Sequence, residues 1–232
     1  SVGSKAMECV VTGTLSGDLL VWDGRNLKLT VPGAAAGAIT CVNYSNGVLA
    51  VGSEDGMVKT FSISTSLVVA EVATIDLRAT GNVFLVADTA VSSVCLNADK
   101  ILVGTRGNEL LELSLVGTPA EEGAEEGAPL PFPQIGDVLN GGPITSGHGT
   151  FDGVALTCLA SNAASTEFAT VGTDMKLFVW DAVSHKQVKS LSLDSPASCV
   201  TYSSDGGLIA VGYSDGPKKG TVSVFAPGAE DP

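Results

Sequence analysis

Residues 169–181 read Ala-Thr-Val-Gly-Thr-Asp-Met-Lys-Leu-Phe-Val-Trp-Asp. This is an apolar strand that ends at glycine, a tight polar turn and a second strand that closes on Trp-Asp. The same pattern occurs in four further copies, which begin at Val10, Leu49, Ile101 and Ile209. The copy at Val10 also closes on Trp-Asp. Repetition at a period of about 40 residues predicts one supersecondary unit, used several times.

A unit of this kind predicts an all-β fold, a WD40-type β-propeller of four-stranded antiparallel blades, with about five blades visible. The predicted blades cover approximately residues 1–36, 37–75, 90–116, 148–195 and 196–228. The acidic, Pro/Gly-rich segment 117–147 is predicted to be an inter-blade loop. The first and last copies leave no room for four strands, so we expect residues 1–232 to be part of a larger propeller or of a tandem propeller.

The charge of the chain argues against two classes of partner. It has 25 Asp and Glu against 12 Lys and Arg, a net charge of -13. Such a field repels nucleic-acid phosphates and anionic lipid headgroups, so we expect neither nucleic-acid nor membrane partners. No apolar run approaches the roughly 20 residues that cross a bilayer.

Four of the five cysteines occupy one equivalent position in the repeat: Cys41, Cys95, Cys158 and Cys199. Each lies in the strand that precedes the glycine-ended strand of its copy. Equivalent positions in neighbouring blades are too far apart for disulfide geometry. We expect small buried apolar residues rather than metal ligands, and free thiols that fit a reducing, intracellular setting.

The chemistry of an enzyme is not visible in the sequence. There is no phosphate-binding Gly-x-x-x-x-Gly-Lys-Ser/Thr loop, no Cys-x-x-Cys pair and no His-Glu-x-x-His. Two histidines cannot build a multi-histidine metal site. The aspartates lie in turns, where they cap their own backbone. We therefore expect no catalytic residue, no cofactor and no metal, and the weakest hypothesis is a propeller hydrolase.

The fourth copy resembles WD-repeat proteins most strongly. Gly147-His148 precedes it, Thr170 lies in its second strand, Asp174 in its turn, and Trp180-Asp181 closes its third strand. In WD-repeat proteins such a set forms a buried network, in which the histidine bonds the turn aspartate and connects through Ser/Thr to the tryptophan. The resemblance thus implies a structural role for His148. His185, in a polar turn, is expected to be exposed.

Within the WD-repeat proteins, the wording of residues 101–112, 168–174 and 208–212 resembles the echinoderm microtubule-associated protein-like family. Related ciliary and centriolar WD-repeat proteins share much of this sequence pattern. The resemblance implies a non-enzymatic scaffold of the cytoplasmic microtubule cytoskeleton, in a cilium, flagellum or centriole. Its implied partners are tubulin, axonemal or centriolar proteins, and the remaining blades of the same parent chain. The alternative is a general WD-repeat adaptor of a signalling or ubiquitin-ligase complex.

Partner contacts in a propeller come from its loops, and interface anchors are most often aromatic or arginine. On that basis we predict that a larger set of residues contacts a partner: Arg25, Arg78, Arg106, Phe132, Tyr213, Lys218 and Lys219.

Overall fold

A computed structural model describes residues 9–45, 47–63, 67–78, 88–97, 100–116, 134–138, 144–145, 148 and 156–226. In that part of the chain all regular structure is β, arranged as five antiparallel sheets that follow one another along the chain. The all-β prediction and the partial propeller of about five blades are confirmed. We number the sheets blade 1 to blade 5 in chain order.

Three blades have at least four strands, and the blades at the two ends have three. Blade 1 contains β1 (Cys9–Gly13), β2 (Leu19–Asp23) and β3 (Asn26–Val31). Blade 2 contains β4 (Ile39–Ser45), β5 (Val48–Ser53), β6 (Met57–Ile63) and β7 (Val69–Asp76). Blade 3 contains β8 (Val91–Asn97), β9 (Lys100–Thr105), β10 (Glu109–Val116), β11 (Gln134–Val138) and β12 (Ile144–Thr145). Blade 4 contains β13 (Leu156–Ser161), β14 (Glu167–Gly172), β15 (Lys176–Asp181) and β16 (Gln187–Ser192). Blade 5 contains β17 (Ala197–Tyr202), β18 (Ile209–Tyr213) and β19 (Val222–Phe225).

Blade 3 corrects the interpretation of segment 117–147 as a loop. Within that segment, β11 pairs antiparallel with β10 and supplies the fourth strand of the blade, while β12 pairs with the start of the same strand. The composition of the preceding acidic stretch masked a strand of only five residues.

The blades stand side by side around a common centre. The first strands of blades 2 to 5, which are β4, β8, β13 and β17, line a single cavity of about 400 Å³. These inner strands therefore form the wall of a central channel, and the other strands follow outward. Blade 1 begins with the counterpart of the second strand, because β1 and β2 match β5 and β6 in the repeat.

Each blade has a leading face toward the preceding blade and a trailing face toward the following one. Four apolar clusters fill the spaces between blades 1 and 2, 2 and 3, 3 and 4, and 4 and 5. Among the described residues, no such cluster joins blade 5 to blade 1. The described blades therefore form an open arc whose stability comes from burying one blade against the next.

The glycine that is the next-to-last residue of the second strand has a steric cause. A Cβ at Gly104 would lie 2.6 Å from Leu156 Cδ2, and a Cβ at Gly52 would lie 3.0 Å from Val91 Cβ. Leu156 and Val91 are the first residues of the inner strands of the following blades. Only a residue without a side chain lets these strands approach so closely.

The residue that follows the first residue of an inner strand carries a hydroxyl, which links that strand to the inner strand of the next blade. The hydroxyl of Thr157 in blade 4 is shared between the carbonyl oxygens of Val171 at 3.1 Å and Ala197 of blade 5 at 2.8 Å. Thr40 of blade 2 makes the corresponding pair of bonds, with Val91 of blade 3 as its second acceptor. The buried hydroxyl of Ser92 breaks the pattern, because no partner for it occurs in the described part of the chain.

Candidate functional site

The predicted WD network lies in the core between blades 3 and 4. His148 Nδ1 lies 2.9 Å from Asp174 Oδ1, and His148 Nε2 lies 3.1 Å from Thr170 Oγ1. Trp180 Nε1 donates to the same Thr170 oxygen at 3.0 Å. The structure thus brings together all four residues that the resemblance singled out. His148, Thr170 and Trp180 are buried, so the network connects the turn to the blade interior rather than to solvent.

The hydrogen bonds assign the tautomer of His148. The ring donates from Nδ1 to Asp174 and accepts at Nε2 from the Thr170 hydroxyl, whose oxygen accepts from Trp180. Burial lowers the pKa of His148, although the hydrogen bond with Asp174 acts in the opposite direction. The ring is therefore neutral near pH 7, as a structural relay requires, and is a poor candidate for a catalyst.

The lowered pKa of His148 gives a testable pH dependence. The unfolded histidine titrates near pH 6.5 and the folded one below it, so stability is fully present above about pH 6.5 and is lost as the pH falls toward the folded-state pKa. We expect wild type to lose more stability between pH 8 and pH 5.5 than His148→Gln does. Urea unfolding of both proteins at the two pH values measures this difference. The His185→Gln variant, altered at the other histidine, is the control, and equal pH dependence of wild type and His148→Gln would contradict the assignment.

Blade 1 keeps half of this network. Trp22 Nε1 donates to Thr12 Oγ1 at 3.0 Å, with the same cross-strand register that places Trp180 beside Thr170. Asp18 lies in the turn between β1 and β2, and its carboxylate accepts hydrogen bonds from the Ser16 hydroxyl and the Gly33 backbone N–H. The carboxylate is therefore satisfied without a histidine. The tryptophan bond is thus a repeated structural device of the two Trp-Asp copies.

A groove lies where the channel opens on one face of the arc. We call this side the turn face, because the turns between the second and third strands of the blades lie there. The groove has a volume of about 470 Å³ and is lined by the starts of the inner strands, by Leu15, and by Glu54 and Arg106. Leu15 is 89% exposed, and Arg106 Nη1 bridges to Glu54 Oε1 at 3.0 Å. An exposed leucine beside a charged pair is a candidate partner contact.

Three other predicted contact residues also belong to the turn face. Arg78 follows the end of β7 and pairs with Asp76 at 2.8 Å. Lys218 and Lys219 lie in the long turn between β18 and β19, where Lys218 Nζ pairs with Asp194 at 2.5 Å. Lys219 is exposed. Both ion pairs are half-exposed, so a partner can replace them at small cost.

The other predicted contacts do not join this face. Tyr213 is only 4% exposed and packs in the core between blades 4 and 5, which rules it out as a surface anchor. Arg25 lies in the turn between β2 and β3, on the opposite face. Phe132 lies outside the described residues.

His185 corrects a further expectation, because it is not a free surface residue. Its Nε2 lies 2.9 Å from Glu112 Oε1, and Lys100 Nζ lies 3.1 Å from the same oxygen. The Glu112 side chain is only 1% exposed on the trailing face of blade 3. A buried carboxylate needs such partners, and they connect blade 3 to the turn that follows β15 of blade 4. Lys100 reinforces this link by donating to the Ala182 carbonyl at 3.4 Å.

All five cysteines are free, but their positions and burial differ from the expectation. Ser93 rather than Cys95 is the blade 3 counterpart of Cys41, because Ser93 pairs with Gly104 as Cys41 pairs with Gly52. Cys95 is buried, Cys41 and Cys158 are half-buried, and Cys199 is exposed. Burial raises the pKa of the Cys41 and Cys95 thiols to about 11, which keeps them protonated. The chain therefore carries one readily accessible inner-strand thiol, at Cys199.

Neither a metal site nor a membrane-spanning helix occurs in the described part of the chain. No group of three or more His, Cys, Asp or Glu side chains there could hold a metal ion. No helix there has the length and hydrophobicity to cross a bilayer.

Comparison with known proteins identifies the repeats. The model of the WD domain, G-beta repeat, matches residues 25–62 and 141–181. The human echinoderm microtubule-associated protein-like 1 is 28% identical over 212 residues, which cover 87% of this chain and 21% of that protein. Its rat counterpart is 27% identical over 207 residues, with the same coverage. The chain thus spans about a fifth of the length of these relatives.

A solved structure supports the fold. The β-propeller domain of Cps50 (Swd1) from Myceliophteria thermophila superposes with a TM-score of 0.60 at 13% identity. The match covers 89% of this chain and 59% of that domain. At this identity the likeness is one of fold alone.

Proposed function

We propose that this chain, a WD-repeat β-propeller that resembles the echinoderm microtubule-associated protein-like proteins, is a non-enzymatic scaffold of the microtubule cytoskeleton. It binds tubulin or microtubule-associated proteins of a cilium, flagellum or centriole, in the cytoplasm. WD40 propellers are typically protein-interaction scaffolds, and function in such folds resides in surface sites. The observation that carries the proposal is the similarity to echinoderm microtubule-associated protein-like 1 along 87% of the chain.

The turn face is the surface that we assign to the partner. It combines the exposed Leu15, the Arg106–Glu54 pair and the basic residues Lys218 and Lys219. A specific interface buries about 800 Å² on each side, and a few apolar and arginine anchors supply most of its energy. Leu15 would enter an apolar recess of the partner, while Arg106 would exchange Glu54 for a partner carboxylate.

Co-pelleting with stabilised microtubules tests this assignment. We expect the natural protein that carries this chain to pellet with microtubules, and Leu15→Asp combined with Arg106→Glu to weaken binding at least about tenfold, because both anchors are lost. The control for the charge reversal at Arg106 is Arg25→Glu, which makes the same reversal on the opposite face, while Leu15→Asp adds one further negative charge to the tested variant. His148→Gln is expected to retain binding wherever the protein stays folded.

The absence of any microtubule association, for the chain and for the natural protein alike, would refute the cytoskeletal role. If the Arg25→Glu control lost as much microtubule binding as the Leu15→Asp/Arg106→Glu variant, the turn face would be refuted as the contact surface. Circular dichroism of each variant separates a lost contact from a lost fold.

A general adaptor of a signalling or ubiquitin-ligase complex is the second candidate. The observation that favours it is the net charge of -13, which opposes electrostatic docking on acidic tubulin. An adaptor would retain a peptide partner on the turn face in the absence of microtubules. Affinity capture with wild type and with the Leu15→Asp/Arg106→Glu variant distinguishes the two, because an adaptor would lose the same non-tubulin protein in the variant.

A further inference from the structure

Met175 has a backbone conformation that the other blades give to glycine or asparagine. It lies in the turn between β14 and β15, with φ of 59°. The register of the strands places four residues, all with positive φ, at the same position of the other turns: Gly17, Gly56, Asn108 and Gly216. Glycine adopts this region freely and asparagine tolerates it, whereas the side chain of methionine makes it costly.

A backbone hydrogen bond imposes this conformation. The N–H of Leu193, just after β16, donates to the Met175 carbonyl at 2.8 Å. The same bond joins Leu77 to Gly56 in blade 2, at 3.0 Å. The fold therefore requires a positive φ here, but it does not require methionine. A strained residue, at a position where glycine would serve stability better, indicates a role outside stability.

The turn presents Met175 on the turn face. Met175 is 44% exposed, and the preceding residue, Asp174, is fixed by its hydrogen bond with His148. An exposed apolar side chain is ordinary on a protein surface. A side chain on a turn that is held in place on both sides is instead pre-organised for contact, and a thioether adapts to apolar surfaces of varied shape.

Two exposed lysines of the turn face have no ion-pair partner among the described residues. They are Lys176 and Lys219. The Lys176 ammonium lies 5.8 Å from the centroid of the Phe178 ring, a cation–π contact that holds it in place without a counter-ion. The other cations of the described turn face are paired with carboxylates: Arg78, Arg106 and Lys218.

The short connection 193–195 brings the two lysines to one place. Its first residue donates its N–H to the Met175 carbonyl, and its last residue accepts the N–H of Lys218 at its hydroxyl, at 2.9 Å. Lys219 follows Lys218 directly, as Lys176 follows Met175. We call Met175, Lys176 and Lys219 the Met175 corner.

The carboxylates of the same turns are already engaged. Asp174 bonds His148, Asp194 pairs with Lys218, and Asp215 accepts the backbone N–H of Gly216 at 2.8 Å. The groups left to meet a partner are therefore two ammonium groups and a thioether.

We propose that the Met175 corner binds an acidic segment of a partner protein, in which an apolar side chain lies between carboxylates. The apolar side chain packs on the Met175 thioether, and the carboxylates on its two sides meet Lys176 and Lys219. This inference deepens the proposed function, on which it rests for the turn face as the partner surface. It gives a chain of net charge -13 a place that accepts an acidic partner.

Fluorescence anisotropy with a synthetic probe tests the proposal. The probe is fluorescein-labelled Glu-Glu-Leu-Glu-Glu-Leu-Glu-Glu, and the matched probe has serine in place of both leucines. We expect the 232-residue chain to bind the leucine probe at least about fivefold more tightly than the serine probe, because only leucine packs on the thioether. Equal affinity for the two probes, or no binding of either, would overturn the proposal.

Met175→Gly separates contact from fold. Glycine suits the positive φ, so we expect a urea midpoint no lower than that of wild type, and an affinity for the leucine probe that falls at least about fivefold. Met175→Asn, with the residue that Asn108 provides in blade 3, is expected to behave alike. Wild-type affinity in both variants would overturn the proposal, and so would a urea midpoint that falls together with the affinity.

Charge reversal at Lys176 has a matched control. Lys176→Glu is expected to weaken binding of the leucine probe at least about tenfold, because an attraction becomes a repulsion. Lys186→Glu makes the same change at an exposed lysine in the turn between β15 and β16, on the opposite face, and is expected to bind as wild type does. Equal losses in the two variants would overturn the proposal.

The probe assay contains no microtubules, so its failure is distinct from failure of the cytoskeletal role. Microtubule binding without probe binding would contradict only the Met175 corner. Probe binding without microtubule association would contradict only the cytoskeletal role.

Discussion

Trp180→Ala is expected to destabilise the chain by about 3–5 kcal/mol, the cost of deleting a large aromatic side chain from a packed core. Trp180 is only 5% exposed and stacks near Phe168, with ring centroids 6.2 Å apart. Its removal opens a cavity between blades 3 and 4. It also removes the indole N–H that donates a hydrogen bond to the Thr170 hydroxyl oxygen. Urea unfolding followed by far-ultraviolet circular dichroism, with comparison of midpoints and slopes, measures the effect.

Trp22 provides a control within the same chain. It makes the same tryptophan–threonine bond as Trp180, but it is half-buried on the leading face of blade 1, where no described blade packs. We expect Trp22→Ala to cost about 1 kcal/mol, mainly for the hydrogen bond. A Trp22→Ala loss as large as the Trp180→Ala loss would mean that burial between blades is not what stabilises the aromatic position.

Gly52→Ala is expected to destabilise the chain by about 1–3 kcal/mol, because overpacking a filled interface forces side chains and backbone to shift. The added Cβ would lie 2.7 Å from the Cys41 sulfur and 3.0 Å from Val91 Cβ. The first contact is within blade 2 and the second is with blade 3. The same urea measurement applies.

Comparison with Gly212→Ala separates the effect of the contact with the neighbouring blade from the effect of the contact with the cysteine. The new Cβ of this variant would meet the Cys199 sulfur at 2.5 Å, the counterpart of Cys41, but no residue of a following blade. In the isolated chain we therefore expect Gly212→Ala to cost less than Gly52→Ala, since the exposed Cys199 side chain can move. A Gly212→Ala loss equal to that of Gly52→Ala would assign the effect to the thiol rather than to the neighbouring blade.

The architecture was predictable because the same residue pattern, with glycine near the end of a strand, occurs in several copies. A glycine at the end of a strand, as at Gly52 and Gly104, is needed only where the next inner strand approaches closely. The bonds of His148, Thr170, Asp174 and Trp180 were implied by the resemblance to WD-repeat proteins, and His148 lies 26 residues before its partner Asp174, so local spacing alone did not supply them.

Contacts between distant residues were beyond the reach of the sequence. His185 pairs with Glu112, which lies 73 residues earlier, and nothing near His185 indicates a buried carboxylate. Tyr213 was predicted as a surface contact from its residue type, but it ends β18 on the leading face of blade 5, against the core of blade 4. Cys199 shares its sequence environment with Cys158, and only the arrangement of blades explains why one is exposed and the other half-buried.

The five-residue strand β11 was not predicted from the sequence, for a different reason. Propensity is a weak signal over so few residues, and pairing with β10 decides the conformation of the segment. The groove beside Leu15 was also missed, because its walls come from residues of four different blades.

The coupling free energy between Gly52 and Val91 tests the packing of blade on blade most directly. In a double-mutant cycle, Val91→Ala removes Val91 Cγ1, the atom that lies nearest to the new Cβ, so Gly52→Ala should cost at least about 1 kcal/mol less in the Val91→Ala background than in wild type. The Gly212→Ala and Val91→Ala changes should instead add within about 0.5 kcal/mol. Additive costs for Gly52 and Val91 would mean that blade 3 does not pack on blade 2 through this glycine, and would contradict the radial arrangement from which the interaction surface follows.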